Sequence, residues 1–123
     1  MNARRALPLR RLCETFEIEH GGHNTPFTVT LGRYPDSAIG EVFISGAKAG
    51  SAVEAVARDG AVLLSIALQF GVPLDIVAHA ITREADGSAS TIIGAVVDRL
   101  MHPMSVEEPA GAKTGPCPVP DSP

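Results

Sequence analysis

The segment 46–51, GAKAGS, places Lys48 between two glycines and ahead of a serine, a combination that could bind a phosphate group. In the phosphate-binding loop G-x-x-x-x-G-K-[ST], however, the lysine stands directly between the last glycine and the hydroxyl residue. Here Lys48 precedes Gly50, so the order differs. Ser51 and Glu54 instead match the S-x-x-E capping box, whose side chains accept hydrogen bonds from backbone amides at a helix start. The segment is therefore predicted to begin a helix, with an anion site at Lys48, Gly50 and Ser51 as the alternative.

Two histidines, His20 and His23, flank a pair of glycines and could approach a metal ion together. A structural zinc site needs four protein ligands and a catalytic one needs three, and the spacing supplies no third ligand here. His20 and His23 are therefore weak candidates for metal ligands, and neither a metal nor another cofactor is predicted. The sequence also lacks the G-x-S-x-G nucleophile motif, and Cys13 has no neighbouring histidine. We therefore predict no catalytic residue.

The composition is that of one soluble domain. The chain has 123 residues and a net charge of −4, which argues against a protein that works by neutralising nucleic-acid phosphates. Neither a signal peptide nor an apolar run of about 18 residues, as a membrane span needs, is visible, so a cytoplasmic protein without a membrane partner is expected. Four arginines lie within residues 1–12, which are predicted to form a basic, solvated N-terminal arm. The two cysteines are far apart and predict no disulfide scaffold.

Two different periods divide the rest of the chain. Apolar and polar residues alternate, as in half-buried strands, in segments 14–20, 27–31 and 41–45. Helical spacing follows in segments 51–70, 74–81 and 91–101. The predicted fold is α+β: a three-stranded antiparallel meander packed by one long helix and two shorter helices over residues 13–101. Residues 102–123 are rich in proline and poor in large apolar side chains, which predicts a disordered tail.

Three blocks follow one another in a fixed order: GEVFI at 40–44, KAGS at 48–51 and LQFGVPL at 68–74. In this order they resemble the C-terminal region of adenosylcobalamin-dependent ribonucleotide reductases, and the chain is identified as a member of the TSCPD-domain family. The resemblance implies a role in deoxynucleotide metabolism, with a reductase as a partner. The catalytic barrel and the cysteine-rich zinc ribbon of those enzymes are missing. The expected function is therefore a non-catalytic binding or regulatory module, not a reductase.

The long predicted helix is apolar around most of its circumference. Its polar residues fall within one stripe of about 60° at about 100° per residue: Glu54, Arg58, Ser65 and Gln69. A single sheet covers about half of a helix, so we expect a second copy of the chain to cover part of the remainder, as a homodimer. Asp59 lies within the apolar arc and is predicted to pair with a basic group, with Arg83 as the candidate. Glu41, in the first block, is the third candidate interaction residue.

Overall fold

In the computed structural model the chain is described over residues 3–21, 26–46 and 50–102 and over the backbone of 113–116. Three strands and three helices occur in the predicted order, and one further strand follows them. The strands are β1 (Leu12–Ile18), β2 (Phe27–Arg33), β3 (Ile39–Ser45) and β4 (Lys113–Pro116). The helices are α1 (Ala52–Gln69), α2 (Leu74–Ala80) and α3 (Ile92–Met101). The predicted α+β class is confirmed.

The sheet is antiparallel with the strand order β3-β2-β1-β4, so the first three strands form the predicted meander. The added strand β4 pairs with β1, from Leu12 opposite Pro116 to Thr15 opposite Lys113. For residues 113–116 the prediction of a disordered tail is therefore wrong. An unpaired strand edge offers a row of amide and carbonyl groups, and pairing with them requires no apolar side chain. The other residues of 103–123 lie outside the described part of the chain.

Cys13 of β1 is buried and disulfide-bonded. The sequence did not predict this bond, because the wide separation of the two cysteines matches no spacing motif. The chain's other cysteine, Cys117, lies outside the described residues.

The core lies between one face of the sheet and the helices α1 and α3. Alternate residues of the strands point to this face, as the sequence period predicts. The core side chains are Phe16, Phe27, Val29, Leu31, Val42, Ile44, Ala57, Ala61, Leu64, Ile92, Val96 and Val97, together with Ala78 of α2. Small residues let the helices approach one another closely: a Cβ atom on Gly60 of α1 would lie 2.5 Å from the side chain of Ile93 on α3.

Candidate functional site

Two polar residues of α1 cover the outer edge of β3. Ser65 Oγ accepts a hydrogen bond from the Val42 amide at 2.8 Å. The same hydroxyl can donate its proton either to the Val42 carbonyl, at 3.1 Å, or to the Ala61 carbonyl, at 2.8 Å. Gln69 Nε2 donates to the Gly40 carbonyl at 2.8 Å. Half of the polar stripe of α1 therefore faces the strand edge and satisfies its backbone groups.

The arginine arm is anchored to the end of α1 and to the turn before β3. Arg4 Nε donates to Gln69 Oε1 at 2.5 Å, and the Arg5 amide donates to the Gln69 carbonyl at 2.8 Å. The Arg5 guanidinium lies 3.7 Å from the Tyr34 ring centroid and 3.0 Å from Asp36 Oδ2, while the Tyr34 hydroxyl donates to the Arg5 carbonyl at 2.7 Å. Residues 3–6 of the arm are exposed, and they are nevertheless anchored because the carbonyls at a helix C-terminus lack helical partners and attract donors and cations.

A buried ion pair connects the arm to β3. Arg11 Nη2 lies 2.6 Å from Glu41 Oε1, and Arg11 Nε donates to the same oxygen at 2.8 Å. Both side chains are 10% exposed. Gly32 on β2 stands opposite Glu41, and a Cβ atom there would lie 2.6 Å from the Glu41 side chain. Glu41, a candidate from the sequence, is thus held in a narrow site that a glycine leaves open.

The predicted pair of Asp59 and Arg83 does not form. Arg83 binds Asp98 of α3 through two hydrogen bonds of 2.8 Å, and it also donates to the carbonyls of Ala78 and Gly87. Asp59 is exposed on α1. The Arg83 guanidinium holds the pKa of Asp98 below its ordinary value. The helical period identified Asp59 as unusual, but it could not reveal that Asp98 lies within reach of Arg83.

The pair of Arg83 and Asp98 predicts a small loss of stability in acid. Because the folded-state pKa of Asp98 is lowered, its contribution is present above the ordinary pKa of 3.8 and is lost as the pH falls through the folded-state pKa. The urea midpoint of the Asp98→Asn variant should therefore change less with pH than that of the native chain between about pH 2 and 5. The effect should be modest, because the pair is partly solvated. An unchanged profile in Asp98→Asn would contradict the assignment.

The helix start at Ser51 is confirmed. Ser51 Oγ accepts a hydrogen bond from the Glu54 amide at 3.2 Å, and Glu54 Oε1 accepts one from the Gly50 amide at 3.1 Å. Gly50 has φ +79°, a conformation that favours glycine. Of the three anion-site candidates, Gly50 and Ser51 are thus engaged in capping, and Lys48 lies outside the described residues.

Ser51→Ala should lower the free energy of unfolding by about 0.5–2 kcal/mol, because an N-terminal amide of α1 would lose its acceptor. Urea melts of the native chain and the variant measure the difference. Ser51→Thr retains the hydroxyl and should keep most of the stability, and Ser45→Ala changes an exposed serine of β3 as a control. Equal midpoints for Ser51→Ala and the native chain would contradict the capping role.

His20 gains no metal-binding partner among the residues described here. His20 lines an apolar pocket of about 360 Å³ with Ala52, Val53, Thr91 and Ile92. His23 lies outside the described residues. Within the described part of the chain, no group of three or more His, Cys, Asp or Glu side chains is placed to hold a metal ion.

A second cleft, of about 380 Å³, is lined by residues of α1 and β3. Its walls include the apolar side chains of Phe43, Val62 and Ile66 and the cationic residues Arg4 and Arg58. Phe43 is 51% exposed and Val62 is 55% exposed. Phe43 alternates with the core residues on either side of it in β3, a period that places it on the opposite face of the sheet, but no motif in the sequence marks it as part of a cleft.

These contacts define a small α+β domain whose arm and long helix are fixed to a sheet edge by polar side chains, and whose exposed surface includes large apolar side chains. The chain belongs to the TSCPD domain family, whose model matches residues 4–105. The described residues include no helix with the length and apolar character to cross a membrane.

Curated relatives confirm the expected similarity to ribonucleotide reductases. The chain is 37% identical over 75 residues to the vitamin B12-dependent ribonucleotide reductase of Bradyrhizobium diazoefficiens, a match that covers 61% of the chain. The enzymes of Rhodopirellula baltica and Agrobacterium fabrum are each 38% identical, over 62% and 64% of the chain. The matches span only 6% to 7% of the length of these three relatives. No solved structure matches the chain.

Proposed function

We propose that the chain is a non-catalytic binding or regulatory module that associates with a ribonucleotide reductase and serves deoxynucleotide metabolism in the cytoplasm. The observation that carries the proposal is the similarity to a small part of three vitamin B12-dependent ribonucleotide reductases. A domain that recurs as one segment of a much larger enzyme is suited to pack against other parts of that enzyme. The disulfide at Cys13 argues against the cytoplasmic location in particular, because cysteine thiols stay reduced in most cytosols.

The anchored arm supplies a surface suited to such a partner. Leu9 is 97% exposed and Leu12 is 61% exposed, with the exposed Arg10 between them. The contacts of Arg4, Arg5 and Arg11 hold this segment in place, so little conformational entropy remains to be lost when a partner buries the two leucines. An ordered apolar surface beside a cation favours protein binding over catalysis.

Co-purification with the reductase of the same cell tests the proposal, together with the rate of deoxynucleotide formation with and without the chain. We expect association, and a changed rate. Leu9→Asp should weaken the association at least tenfold, whereas Ile76→Asp, which alters an exposed residue of α2, should not. The proposal fails if the native chain neither associates with the reductase nor changes its rate.

A second candidate is a small-ligand or nucleotide-binding protein that uses the Lys48–Ser51 loop as an anion site. The apolar pocket of about 360 Å³ favours it, because its walls include the first residues of α1 and α3, and helix N-termini attract anions. Glu54 opposes it, because its carboxylate already accepts the Gly50 amide. Calorimetry with a panel of nucleotides decides: binding lost in Lys48→Ala supports this function, and no heat at millimolar nucleotide excludes it.

We further propose that the chain forms a homodimer. Four large apolar side chains of α1 are between 42% and 69% exposed: Val53, Val56, Val62 and Leu63. Such a concentration on one helix is typical of an interface. Light scattering coupled to size exclusion at micromolar concentration should give twice the 12.8 kDa of one chain.

A further inference from the structure

The disulfide bond of Cys13 requires a second cysteine. Cys13 is buried and disulfide-bonded, and the sequence contains two cysteines. The second, Cys117, follows directly after β4 in the sequence and is two positions beyond Gly115, the residue that stands opposite Cys13 in the sheet. Within one chain, Cys117 is therefore the residue that can supply the second sulfur atom.

The direction of the main-chain groups along β1 follows from the edge of β3. The Val42 amide donates to Ser65 Oγ, so Val42 exchanges no hydrogen bonds with Leu31, which stands opposite it on β2. Bonded and non-bonded pairs alternate in an antiparallel ladder, so Leu31 bonds instead to Glu14 on β1, its partner on the other side. The residues before and after Glu14 must then direct their amide and carbonyl groups away from β2, to β4.

These two residues, Cys13 and Thr15, stand opposite Gly115 and Lys113 of β4. Pro116 has no amide hydrogen, and it occupies the next position, which is a non-bonded one. Two bonded pairs thus hold β4, whose sequence, KTGP, includes a glycine and a proline, both unfavourable in strands. Because so short an edge strand has few contacts of its own, a covalent link to β1 should contribute much of its stability.

We propose that the Cys13 disulfide is a reducible latch: its second sulfur atom belongs to Cys117, and exchange with a dithiol opens it and releases β4 from β1. A thiolate of the dithiol attacks one sulfur of the bond, which forms a mixed disulfide and frees the other cysteine as a thiolate. The second thiol of the reagent then attacks the mixed disulfide, so the reagent leaves as its own disulfide. Two electrons pass to the chain, and its two cysteines take up the two protons that the dithiol gives up.

Release of β4 uncovers the outer edge of β1. The amide and carbonyl groups of Cys13 and Thr15 are then open to pairing with an extended segment of another protein. The exposed Leu12 belongs to the same strand and adds apolar surface to this edge. The latch stays closed in an oxidising compartment and opens in a reducing one, so the compartment decides whether the edge is available.

Peptide mapping identifies the bonded pair. With free thiols alkylated and no reductant present, trypsin should yield peptides 12–33 and 114–123 joined to one another, because Arg11, Arg33 and Lys113 are cleavage sites. Reduction should separate the two peptides. Two copies of 12–33 joined to each other would mean that Cys13 links two chains, and two separate peptides would mean that the bond does not form. Either result overturns the latch.

Hydrogen exchange measured by NMR tests the release of β4. In the native chain, dithiothreitol should speed exchange of the Cys13 and Thr15 amides at least tenfold, because these amides bond to β4. The Glu14 amide bonds to β2 and is the internal control, which should change little. Cys117→Ser should show the fast exchange without reductant and should not respond to dithiothreitol, which separates loss of the bond from other effects of the reagent.

The exchange data also contain the results that would overturn the release. Unchanged exchange at Cys13 and Thr15 after reduction would mean that β4 stays paired without the bond. Equal acceleration at Glu14 would mean that reduction unfolds the domain rather than detaching β4. Fast exchange at Cys13 and Thr15 beside a protected Glu14 amide, in both the reduced chain and Cys117→Ser, supports the latch.

Discussion

Replacing Arg11 by methionine is expected to lower the free energy of unfolding by about 3–5 kcal/mol, because Glu41 would remain buried without its cation. Both side chains of the pair are 10% exposed, and one carboxylate oxygen of Glu41 receives two contacts from Arg11, at 2.6 and 2.8 Å. Arg11 also donates to the Pro8 carbonyl at 2.7 Å, so the change should loosen the arm as well. Urea melts at pH 7 followed by circular dichroism measure the difference.

Two further variants separate the buried charge from general effects of removing an arginine. Arg10→Met changes the neighbouring exposed arginine and should alter stability by less than about 0.5 kcal/mol. The double variant Arg11→Met, Glu41→Leu should recover most of the stability, because apolar side chains of similar size often replace a buried ion pair without loss. If Arg11→Met costs less than about 1 kcal/mol, the pair behaves as a solvated one and the assignment is wrong.

The sequence predicted the elements of this fold where a local period marks them. Alternation in three segments indicated the meander, and the capping box at Ser51 indicated the start of α1. The strand ends were predicted less well: the first strand was predicted over 14–20 and lies at Leu12–Ile18. Alternation identifies which residues share a face, but it does not reveal where hydrogen bonding to the neighbouring strand stops.

The contacts that define the candidate surfaces join residues far apart in the chain, and no local pattern reports them. Arg4 and Gln69 are 65 positions apart, and Arg11 and Glu41 are 30 apart. A cluster of arginines at a terminus has the same appearance in sequence whether it is solvated or docked. The partner of Arg83 could not be predicted for the same reason. The sequence offers several carboxylates, and the packing of α3 brings Asp98 within reach of Arg83. Strand β4 escaped prediction because it pairs through its main chain.

Ser65→Ala, finally, is expected to lower the free energy of unfolding by about 1–3 kcal/mol, because it leaves the amide of Val42 buried without an acceptor. Ser65 is 9% exposed and Val42 is 1% exposed, so water cannot readily replace the lost hydroxyl. Its Oγ also lies 3.1 Å from the Val42 carbonyl, so both backbone groups of this edge residue depend on one side chain. Urea melts measure the loss, and hydrogen exchange measured by NMR should show faster exchange of the Val42 amide. Ser45→Ala, an exposed change on the same strand, should affect neither measurement. Unchanged stability together with a protected Val42 amide in Ser65→Ala would mean that α1 does not cover the edge of β3 through this hydroxyl.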